Sequence, residues 1–432
     1  MRLVLPLLLT TACLLPASAA FLTQQSTCSF VSRRESSFQC SSSRYHQEEE
    51  EEDEDDDEID ADSLGDWRAF RRNLAGMTNA DEHEPSVAKI STENEKVLRT
   101  QNQVLANEYK TGAWAHETSM PEVGGLVCRL PLEVEIYRNY RHSLIGKKLR
   151  TSHAFAEEDT KEWYKSAQML VENEMQDIAE NAKGGQIDAA TLNDEAAEML
   201  QLYIDNQETW QEVCLVLERN VERGTATTLV LNRPMAMKLT ENLARLVLNG
   251  AFTTINLGKK DLVKFVLAFG NECAVYVGGS QGQEEPAIML HGIADLPGST
   301  EISPNSGIYR GGIQAAIDGV LEGKYQPLDF RFFLGRQVYD ESTLDVQVLL
   351  GKYQPIACAR SLALKQCISL PKPLWHEVLE LCGGELKEIS SLEMLKRDDL
   401  QFEIVDEDED EDAFDELDML DLDDDDDDEY YG

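Results

Sequence analysis

The pattern of apolar and polar positions divides the chain into predicted strands and predicted helices. From Trp210 onward, short apolar runs bounded by Gly, Asn or Pro predict strands. These runs are EVCLVLE, ATTLVLN, ECAVYVGG, AIMLHGI, DFRFFLG, LDVQVLLG and PIACA. Between them, apolar residues at helical spacing predict helices over 234–249, 259–270, 312–323 and 372–384. Strands and helices mixed along one chain favour a single α/β layered domain, a mixed sheet with packed helices.

A long helical stretch interrupts this pattern. Good helix formers continue from residue 155 until Gly184, a natural C-cap, and a second run follows from Thr191 or Asn193 as a plausible N-cap. We therefore predict a helical-hairpin insertion at about 155–206, within a domain that spans 119–400.

The segment 64–118 precedes this domain. Trp67, Phe70 and Leu74 lie at i, i+3 and i+7, which predicts one apolar stripe of a helix. The remainder of the segment is polar and mixed, and it is typical of a further short helix and a linker.

Most of the net negative charge lies in two segments that flank the predicted domain. The formal charge is −42, yet residues 48–62 hold thirteen acids and 403–432 hold nineteen, with no Lys or Arg in either run. Without these 32 charges the rest of the chain carries −10. Like-charge blocks bury too little apolar surface to order themselves, so we predict disordered acidic segments at 48–63 and 401–432.

The acidic tails allow two interpretations. They solubilise the protein, or they bind basic protein partners, and the spacing of Phe414, Leu417 and Leu420 among the acids is typical of a segment that folds on binding. We expect no direct nucleic-acid contact, because like charges repel and we identify no basic patch or helix-turn-helix.

The N-terminus has the composition of a two-part targeting leader. Residues 1–20 combine Arg2, a short apolar run and small residues before Phe21, which predicts a signal peptide. Residues 21–47 are rich in Ser and Arg with few acids, as transit peptides are. The order of these features resembles the leaders of proteins imported into complex plastids: a signal peptide, a cleavage site of small residues, a Phe and a transit-like stretch. This resemblance implies import through the ER to the plastid stroma. Simple secretion is the alternative, and no second apolar stretch reaches 18 residues.

Four blocks in order resemble the AlgH family. They are GTATTLVLNRPM (224–235), VYVGGSQGQEEPAIMLHG (275–292), IYRGGIQAAIDGVLEGKYQPLDFRFFLG (308–335) and GKYQPIACARSLALKQ with PLWHEVLELCGG (351–366 and 373–384). The last block and the upstream DWRAFRRNL are similar to plant-type plastid members. The chain departs from the family pattern at three places. Thr228 stands where the family commonly has Gly, and Ser280 stands where it commonly has Pro. The segment Gly335–Tyr339 lacks the Trp of the family's aromatic turn. The resemblance implies a regulatory role without a settled molecular activity.

Within these blocks, five residues are candidates for ligand binding. Asn232 and Arg233 precede a predicted helix, where an anion is favoured, although a plain helix start is the simpler interpretation. Gly278 and Gly279 allow a close backbone approach to a phosphate, or only a tight turn. His291 ends a predicted strand and is the fifth candidate.

His291 and Cys358 are the weak candidates for catalysis, against the simpler interpretation that both are buried structural residues. The sequence contains no HExxH, GxSxG or GxGxxG motif, and its spacings predict no metal site and no cofactor. We therefore favour a non-enzymatic regulatory or interaction protein. The alternatives are a ligand binder or enzyme with a cleft near Asn232, Gly278 and His291, and a structural assembly factor.

Overall fold

A computed structural model describes residues 2–4, 91–150, 159–181, 186–188, 192–236, 238–251 and 259–396. Apart from residues 2–4, the predicted leader, both acidic segments and the helix around Trp67 lie outside these residues. The α-helices are α1 (Thr92–Gln101), α2 (Gln103–Gly112), α3 (Leu132–Arg138), α4 (Leu144–Arg150), α5 (Thr160–Glu180), α6 (Asp194–Glu208), α7 (Glu241–Asn249), α8 (Lys259–Phe269), α9 (Ile313–Leu321), α10 (Thr343–Leu349), α11 (Arg360–Ala363), α12 (Leu374–Cys382) and α13 (Gly384–Met394). The strands are β1 (Arg2–Val4), β2 (Ala115–Glu117), β3 (Leu126–Arg129), β4 (Gln186–Asp188), β5 (Val213–Asn220), β6 (Thr225–Val230), β7 (Pro234–Ala236), β8 (Ala274–Val277), β9 (Ile288–His291), β10 (Ser299–Glu301), β11 (Tyr309–Gly311), β12 (Phe330–Leu334), β13 (Gln337–Tyr339) and β14 (Tyr353–Cys358).

Two six-stranded sheets organise the fold. The first has the order β13-β6-β5-β3-β14-β2, and each of its neighbouring pairs is antiparallel. The second has the order β10-β11-β9-β12-β8-β7 and is mixed, because β12 and β8 run parallel. A short pairing also joins β1 to β4. The predicted α/β layered class is confirmed, but it is built on two large sheets and not on one.

The two sheets are joined at one corner, which we call the sheet corner (residues 230–234, 277–281 and 334–337). The chain crosses between the sheets twice there, from β6 to β7 and from β12 to β13. The Val230 amide donates to the Gly278 carbonyl at 2.9 Å, and the Gly278 amide donates to the Leu334 carbonyl at 2.7 Å. Backbone hydrogen bonds therefore join the ends of β6, β8 and β12 across the two sheets.

Both sheets contribute to a shared hydrophobic core. Leu229 and Ile356 enter it from the first sheet, Tyr276 and Phe333 from the second, and Trp375 from α12. The opposite face of the second sheet is covered by α7, α8 and α9, and that of the first by α10. Burial on both faces explains why the central strands are continuous apolar runs.

The predicted hairpin at 155–206 is confirmed as α5 and α6. It does not stand alone, because α3 and α4 pack with it around a small core of their own. We call α3–α6 the helical module. Arg129 attaches it to β3: its guanidinium is fully buried, pairs with Glu135 at 2.7 Å and donates to Thr209 at 2.9 Å.

One predicted strand is wrong. The LDVQVLLG run forms helix α10. Leu344 is buried and Val348, four residues later, packs beside it against the first sheet, while Val346 and Leu349 are exposed. The four-residue spacing of the packed side chains therefore outweighs the strand preference of Val and Leu.

The predicted helix over 234–249 is wrong at its start. Pro234–Ala236 is a short strand that pairs with β8, and the helix begins only at Glu241. Thr240 is its N-cap, with its hydroxyl accepting from the Leu243 amide at 3.3 Å. Pairing with β8 extends the second sheet by one strand and delays the helix by seven residues.

Candidate functional site

A cleft of about 520 Å³ opens between the helical module and the end of α13. We call it the Glu133 cleft. Its walls combine aromatic and aliphatic groups with charged and amide side chains. The lining residues are Pro131, Leu132, Glu133, Val171, Tyr203, Asn206, Gln207, Trp210, Glu393 and Lys396.

A hydrogen-bonded cluster of charged groups lies at this cleft. Lys396 Nζ donates to Glu133 Oε1 at 2.9 Å, to Glu393 Oε1 at 2.6 Å and to Tyr164 Oη at 3.2 Å. The Tyr164 hydroxyl in turn donates to Glu393. Both carboxylates and the phenol are buried, whereas a third of the Lys396 side chain is exposed. One cation therefore faces two carboxylates, and the cluster is left with a net negative charge.

The protonation of this cluster follows from its surroundings. Burial, and then the charges of Glu133 and Glu393, raise the pKa of Tyr164 far above its usual range, so it remains a neutral donor. Burial lowers the pKa of Lys396, but the two carboxylates outweigh this effect and the net pKa is raised. Lys396 is therefore charged at neutral pH, and Tyr164 keeps its proton.

Three separate parts of the chain position the cluster. Glu133 lies in the first turn of α3, Tyr164 in α5, and Glu393 and Lys396 lie one helical turn apart at the end of α13. Asn206 of α6 donates to the Leu130 carbonyl at 3.3 Å, which holds α6 beside the start of α3. The cleft thus exists only where the helical module meets α13.

The composition of the cleft indicates the type of ligand that it can accept. Its surplus carboxylate oxygens accept hydrogen bonds, and a net negative charge favours a cation. Trp210 is 38% exposed and offers an apolar surface and a π face beside these acceptors. The arrangement fits an amine or guanidinium group carried on an apolar stem.

A second, more open cleft of about 400 Å³ lies where α2 meets α11. Arg360 and Glu108 form an ion pair at its edge, and Trp114 lines its wall. Ser361 is 1% exposed, and its hydroxyl has no hydrogen-bond partner within the described part of the chain. This cleft offers one buried hydroxyl beside a cation that Glu108 already neutralises.

Asn232 and Arg233 form hydrogen bonds at the sheet corner, and they do not start a helix. The Asn232 side chain accepts from the Val213 amide at 3.0 Å and donates to the Gln211 carbonyl at 2.8 Å. Arg233 donates to the Trp210 carbonyl, and its own carbonyl accepts from the Val277 amide. The predicted helix start at these residues is therefore wrong, because β7 follows them, and anion binding by Asn232 and Arg233 stays a prediction.

Gly278 and Gly279 also belong to the sheet corner. A Cβ atom on Gly279 would overlap the carbonyl group of Arg336, and one on Gly278 would crowd the carbonyl of Gly335. The close approach that these glycines permit is therefore made by the chain's own backbone.

His291 is a buried residue at the end of β9. Its Nδ1 accepts from the Ile293 amide at 3.2 Å, which leaves Nε2 to donate to the Gly311 carbonyl at 3.2 Å. Burial lowers the pKa of His291 to about 4, so the imidazole is neutral at physiological pH. Both ring nitrogens are thus used inside the fold, and the ring stacks on Tyr309.

Cys358, the other weak catalytic candidate, is the last residue of β14. It is 5% exposed and lies in the core shared by the two sheets. All six cysteines outside the predicted leader are free thiols in the structure, and four of them are buried.

The five predicted ligand-binding residues separate into two places. Asn232, Arg233, Gly278 and Gly279 meet at the sheet corner. His291 pairs with Phe330 at the beginning of β12, whereas the corner begins at Leu334, four residues and about 13 Å further along the strand. Neither described cleft includes any of the five. Ligand binding by these residues stays a prediction that no single cleft supports.

The sequence analysis missed the Glu133 cleft. Its charged cluster joins positions 133, 164, 393 and 396, and no local pattern links them. The one available signal was Glu133 itself, an acid within the LPLEVEIYR run where apolar residues dominate. In the residues that the structure describes, we find no group of three or more His, Cys, Asp or Glu arranged for a metal ion. None of the described helices is long and apolar enough to cross a membrane.

Comparison with known families now adds to this geometry. The model of the AlgH-like family, DUF179, matches residues 199–387. Over these residues the chain is similar to the AlgH-like family. The match includes the sheet corner, most of both sheets and helices α7 to α12. Glu133, Tyr164, Glu393 and Lys396 all lie outside the match, so the Glu133 cleft forms where segments on either side of the matched region pack against it.

Two solved structures resemble the chain at low identity. A crystal structure of a Corynebacterium diphtheriae protein shares 15% identity with a TM-score of 0.29, covering 42% of this chain and 82% of that one. The solution structure of the AlgH protein from Pseudomonas aeruginosa shares 18% identity with a TM-score of 0.25, covering 35% of this chain and 69% of that one. Among curated proteins, none matches the chain.

Proposed function

We propose that this AlgH-like protein is a non-enzymatic protein of a plastid stroma that binds basic protein partners through its acidic tails. The observation that carries the proposal is the separation of charge along the chain. Two runs hold 32 acids and no base, while the remaining residues carry only −10. Dense carboxylates attract Lys- and Arg-rich surfaces and accelerate their association at low ionic strength.

The chemistry inside the described residues supports a binding role over catalysis. His291 is neutral and hydrogen-bonded on both nitrogens, and the glycines of the sheet corner are occupied by backbone contacts. At the Glu133 cleft, Tyr164 and Lys396 keep their protons near neutral pH. A general acid or base needs a pKa near the working pH, and none of these groups supplies one.

The partner test uses residues 48–432 and a labelled octalysine peptide. We expect binding that weakens steeply as salt rises, because exposed charges are screened within about 8 Å at physiological ionic strength. The matched control has the same length, with the nineteen acids of 403–432 changed to Asn and Gln. Equal binding by both proteins would show that the C-terminal tail is only a solubilising segment.

The location test attaches residues 1–47 to a fluorescent reporter in an alga with a complex plastid. We expect the reporter in the stroma, and we expect residues 21–47 alone to leave it in the cytosol. Fluorescence in the culture medium would instead establish simple secretion and contradict the plastid proposal.

Small-ligand binding at the Glu133 cleft is a second candidate function. The 520 Å³ volume and the surplus carboxylate beside Trp210 favour an organic cation. Thermal-shift screening of amines and guanidines on the intact protein tests this function. A hit should lose at least about tenfold in affinity in Glu133→Gln, since a charged hydrogen bond is lost. It should keep its affinity in Glu388→Gln, an exposed control on α13.

A further inference from the structure

Helix α4 and the turn before it carry an exposed basic surface in a strongly acidic protein. Between Glu135 and Glu157 the chain has five Lys or Arg residues and no acid. Four of them, Arg141, Lys147, Lys148 and Arg150, are exposed, and we call these the α4 basic surface. No basic patch was predicted from the sequence, because the acidic runs dominate the net charge of the chain, although this run without acids is visible in the sequence.

Aromatic packing holds two of these cations together. The guanidinium carbons of Arg141 and Arg150 lie 5.4 Å and 5.5 Å from the centre of the same Tyr140 ring. Gly146 makes this possible, because a Cβ atom there would crowd the backbone of Tyr140 and push α4 away from the turn. The two guanidinium groups are therefore brought together by the fold before any partner arrives.

The acids that face α4 neutralise only part of this surface. Glu174 of α5 pairs with Lys148, and Asp177 and Glu195 also raise the Lys148 pKa. Glu198 of α6 accepts from the first amides of α4, at 2.8 Å from Leu144. Within the described ranges, Arg141, Lys147 and Arg150 have no carboxylate partner. Three cations thus remain available on one side of the helical module.

The described part of the chain ends against the helix that leads into this surface. Lys396, near the end of the described chain, contacts Glu133 in the first turn of α3, and α3 leads directly into the turn that carries Arg141. Residues 397–402 can span about 20 Å when extended, so the acids from Glu403 onward can reach α4. Because the segment is tethered to the same chain, its effective concentration at α4 is in the millimolar range. Nucleic acids or membranes that are not tethered to the chain do not reach this concentration.

From these observations we propose that the α4 basic surface binds the chain's own C-terminal acidic segment, residues 403–432, and that basic partners must displace it. This inference rests on the proposed function, because the contact regulates the protein only if the tail also binds basic partners. The α4 basic surface then binds the tail until such a partner replaces it. Arg141 and Arg150 bind tail carboxylates, and Lys147 adds a third contact. Basic partners then compete with α4 for the same acids.

Carbodiimide cross-linking of residues 48–432 tests the contact, because it joins amines to carboxylates that already touch. Trypsin leaves residues 398–432 as one peptide, since no Lys or Arg follows Arg397. We expect that peptide to be joined to Lys147 at low salt. The Lys148–Glu174 link serves as an internal control in every sample. Mixing ¹⁵N-labelled and unlabelled protein separates links within one chain from links between copies.

The deciding variant is Arg141→Glu/Arg150→Glu, which keeps Lys147 as the reporter. We expect its tail cross-link to fall at least about fivefold, as the loss and reversal of two exposed charge contacts predicts. The matched control, Arg223→Glu/Lys238→Glu, makes the same charge change at two exposed sites elsewhere and should leave the link unchanged. Equal loss in both variants, no link to Lys147, or links only between copies would overturn the proposal.

The same proteins separate this inference from the proposed function. A tail that binds octalysine without any link to Lys147 would overturn the α4 contact and leave the partner role intact. A link to Lys147 without tail-dependent octalysine binding would support the contact and contradict the partner role. Binding of an oligonucleotide at Arg141 and Arg150, with no tail link in its absence, would assign the surface to nucleic acid and overturn the proposal.

Discussion

His291 shows how a reactive side chain becomes a structural one. Its ring bridges the backbone at Ile293 and Gly311, and these two contacts use both nitrogens only in the neutral tautomer. Protonation would place a second hydrogen against the Ile293 amide, besides charging a buried ring. The hydrogen bonds that hold the end of β9 therefore keep the imidazole neutral near pH 7 and leave neither ring nitrogen free to transfer a proton.

The His291 environment predicts a pH-dependent stability. The folded pKa is about 4 against an unfolded value of 6.5, so below pH 6.5 the unfolded chain binds a proton that the folded chain does not. Stability is therefore lost as pH falls from 6.5 to 4, by about 3 kcal/mol for this one group. The free energies of unfolding of wild type and His291→Gln should approach each other by about 2–3 kcal/mol between pH 7 and 4.5. A constant difference would contradict the buried neutral ring.

Gly279 is predicted to tolerate no side chain. In Gly279→Ala the new methyl group would overlap the Arg336 carbonyl, and both partners are backbone at the sheet corner. We expect a loss of about 3 kcal/mol in the free energy of unfolding by urea. The control is Gly112→Ala at the end of α2, where nothing lies within 4 Å of the added atom. Similar losses in the two variants would argue against a backbone clash at the corner.

Two of the three departures from the AlgH signature, Thr228 and the turn Gly335–Tyr339, meet in one partly buried network. The Thr228 hydroxyl donates to Gln337 Oε1 at 3.2 Å, and the Tyr339 hydroxyl donates to the same oxygen at 2.9 Å. The Gln337 amide then donates to Glu212 at 3.1 Å, and burial raises the pKa of that carboxyl group. The residues that differ from the family pattern therefore satisfy each other's hydrogen bonds.

At the scale of elements, a buried ion pair joins helices from distant parts of the chain. Lys365, between α11 and α12, is fully buried and pairs with Glu377 of α12 at 2.6 Å. Tyr109 of α2 and Asn94 of α1 donate to the same carboxylate. One carboxylate thus joins helices that are separated by more than 260 residues in the chain.

Removing one member of this pair should be costly. Lys365→Met leaves the Glu377 charge buried without its cation, and we expect a loss of about 3–5 kcal/mol in the free energy of unfolding. In Lys365→Met/Glu377→Gln the charge is gone and the amide oxygen still accepts from Tyr109, so part of the loss should be recovered. Urea titrations of the three proteins measure both effects. A double variant less stable than the single one would show that the carboxylate acts through more than this pair.

At the scale of the whole molecule, the charge and the core belong to different parts of the chain. Every hydrophobic cluster of the structure lies within residues 98–392, before the C-terminal acidic run begins. That run holds nineteen of the 81 acidic residues. Its like charges repel one another, and in the proposed function they attract basic partners.

Deleting residues 401–432 should leave the fold almost as stable as before. The formal charge changes from −42 to −23, and only exposed ion pairs are lost. We expect the free energy of unfolding to change by less than about 1 kcal/mol. Chemical denaturation at low and high salt measures it, and a larger loss that persists at high salt would show that the tail contributes apolar contacts to the domain.

Periodicity and composition alone determined much of this architecture. Short apolar runs located most strands after Trp210, because strands buried on both faces need continuous Val, Ile, Leu and Phe. The hairpin α5–α6 followed from helix formers bounded by caps. The uneven distribution of charge was likewise plain from the sequence, because it needs no knowledge of contacts.

Tertiary structure alone decided what the individual residues do. Whether Asn232 starts a helix or joins strands depends on β8, which lies about forty residues away along the chain. Whether LDVQVLLG is a strand or α10 depends on which side chains the first sheet buries. The Glu133 cleft and the α4 basic surface arise from side chains that only packing brings together. Local preferences amount to tenths of a kcal/mol per residue, and burial and backbone pairing across the fold outweigh them.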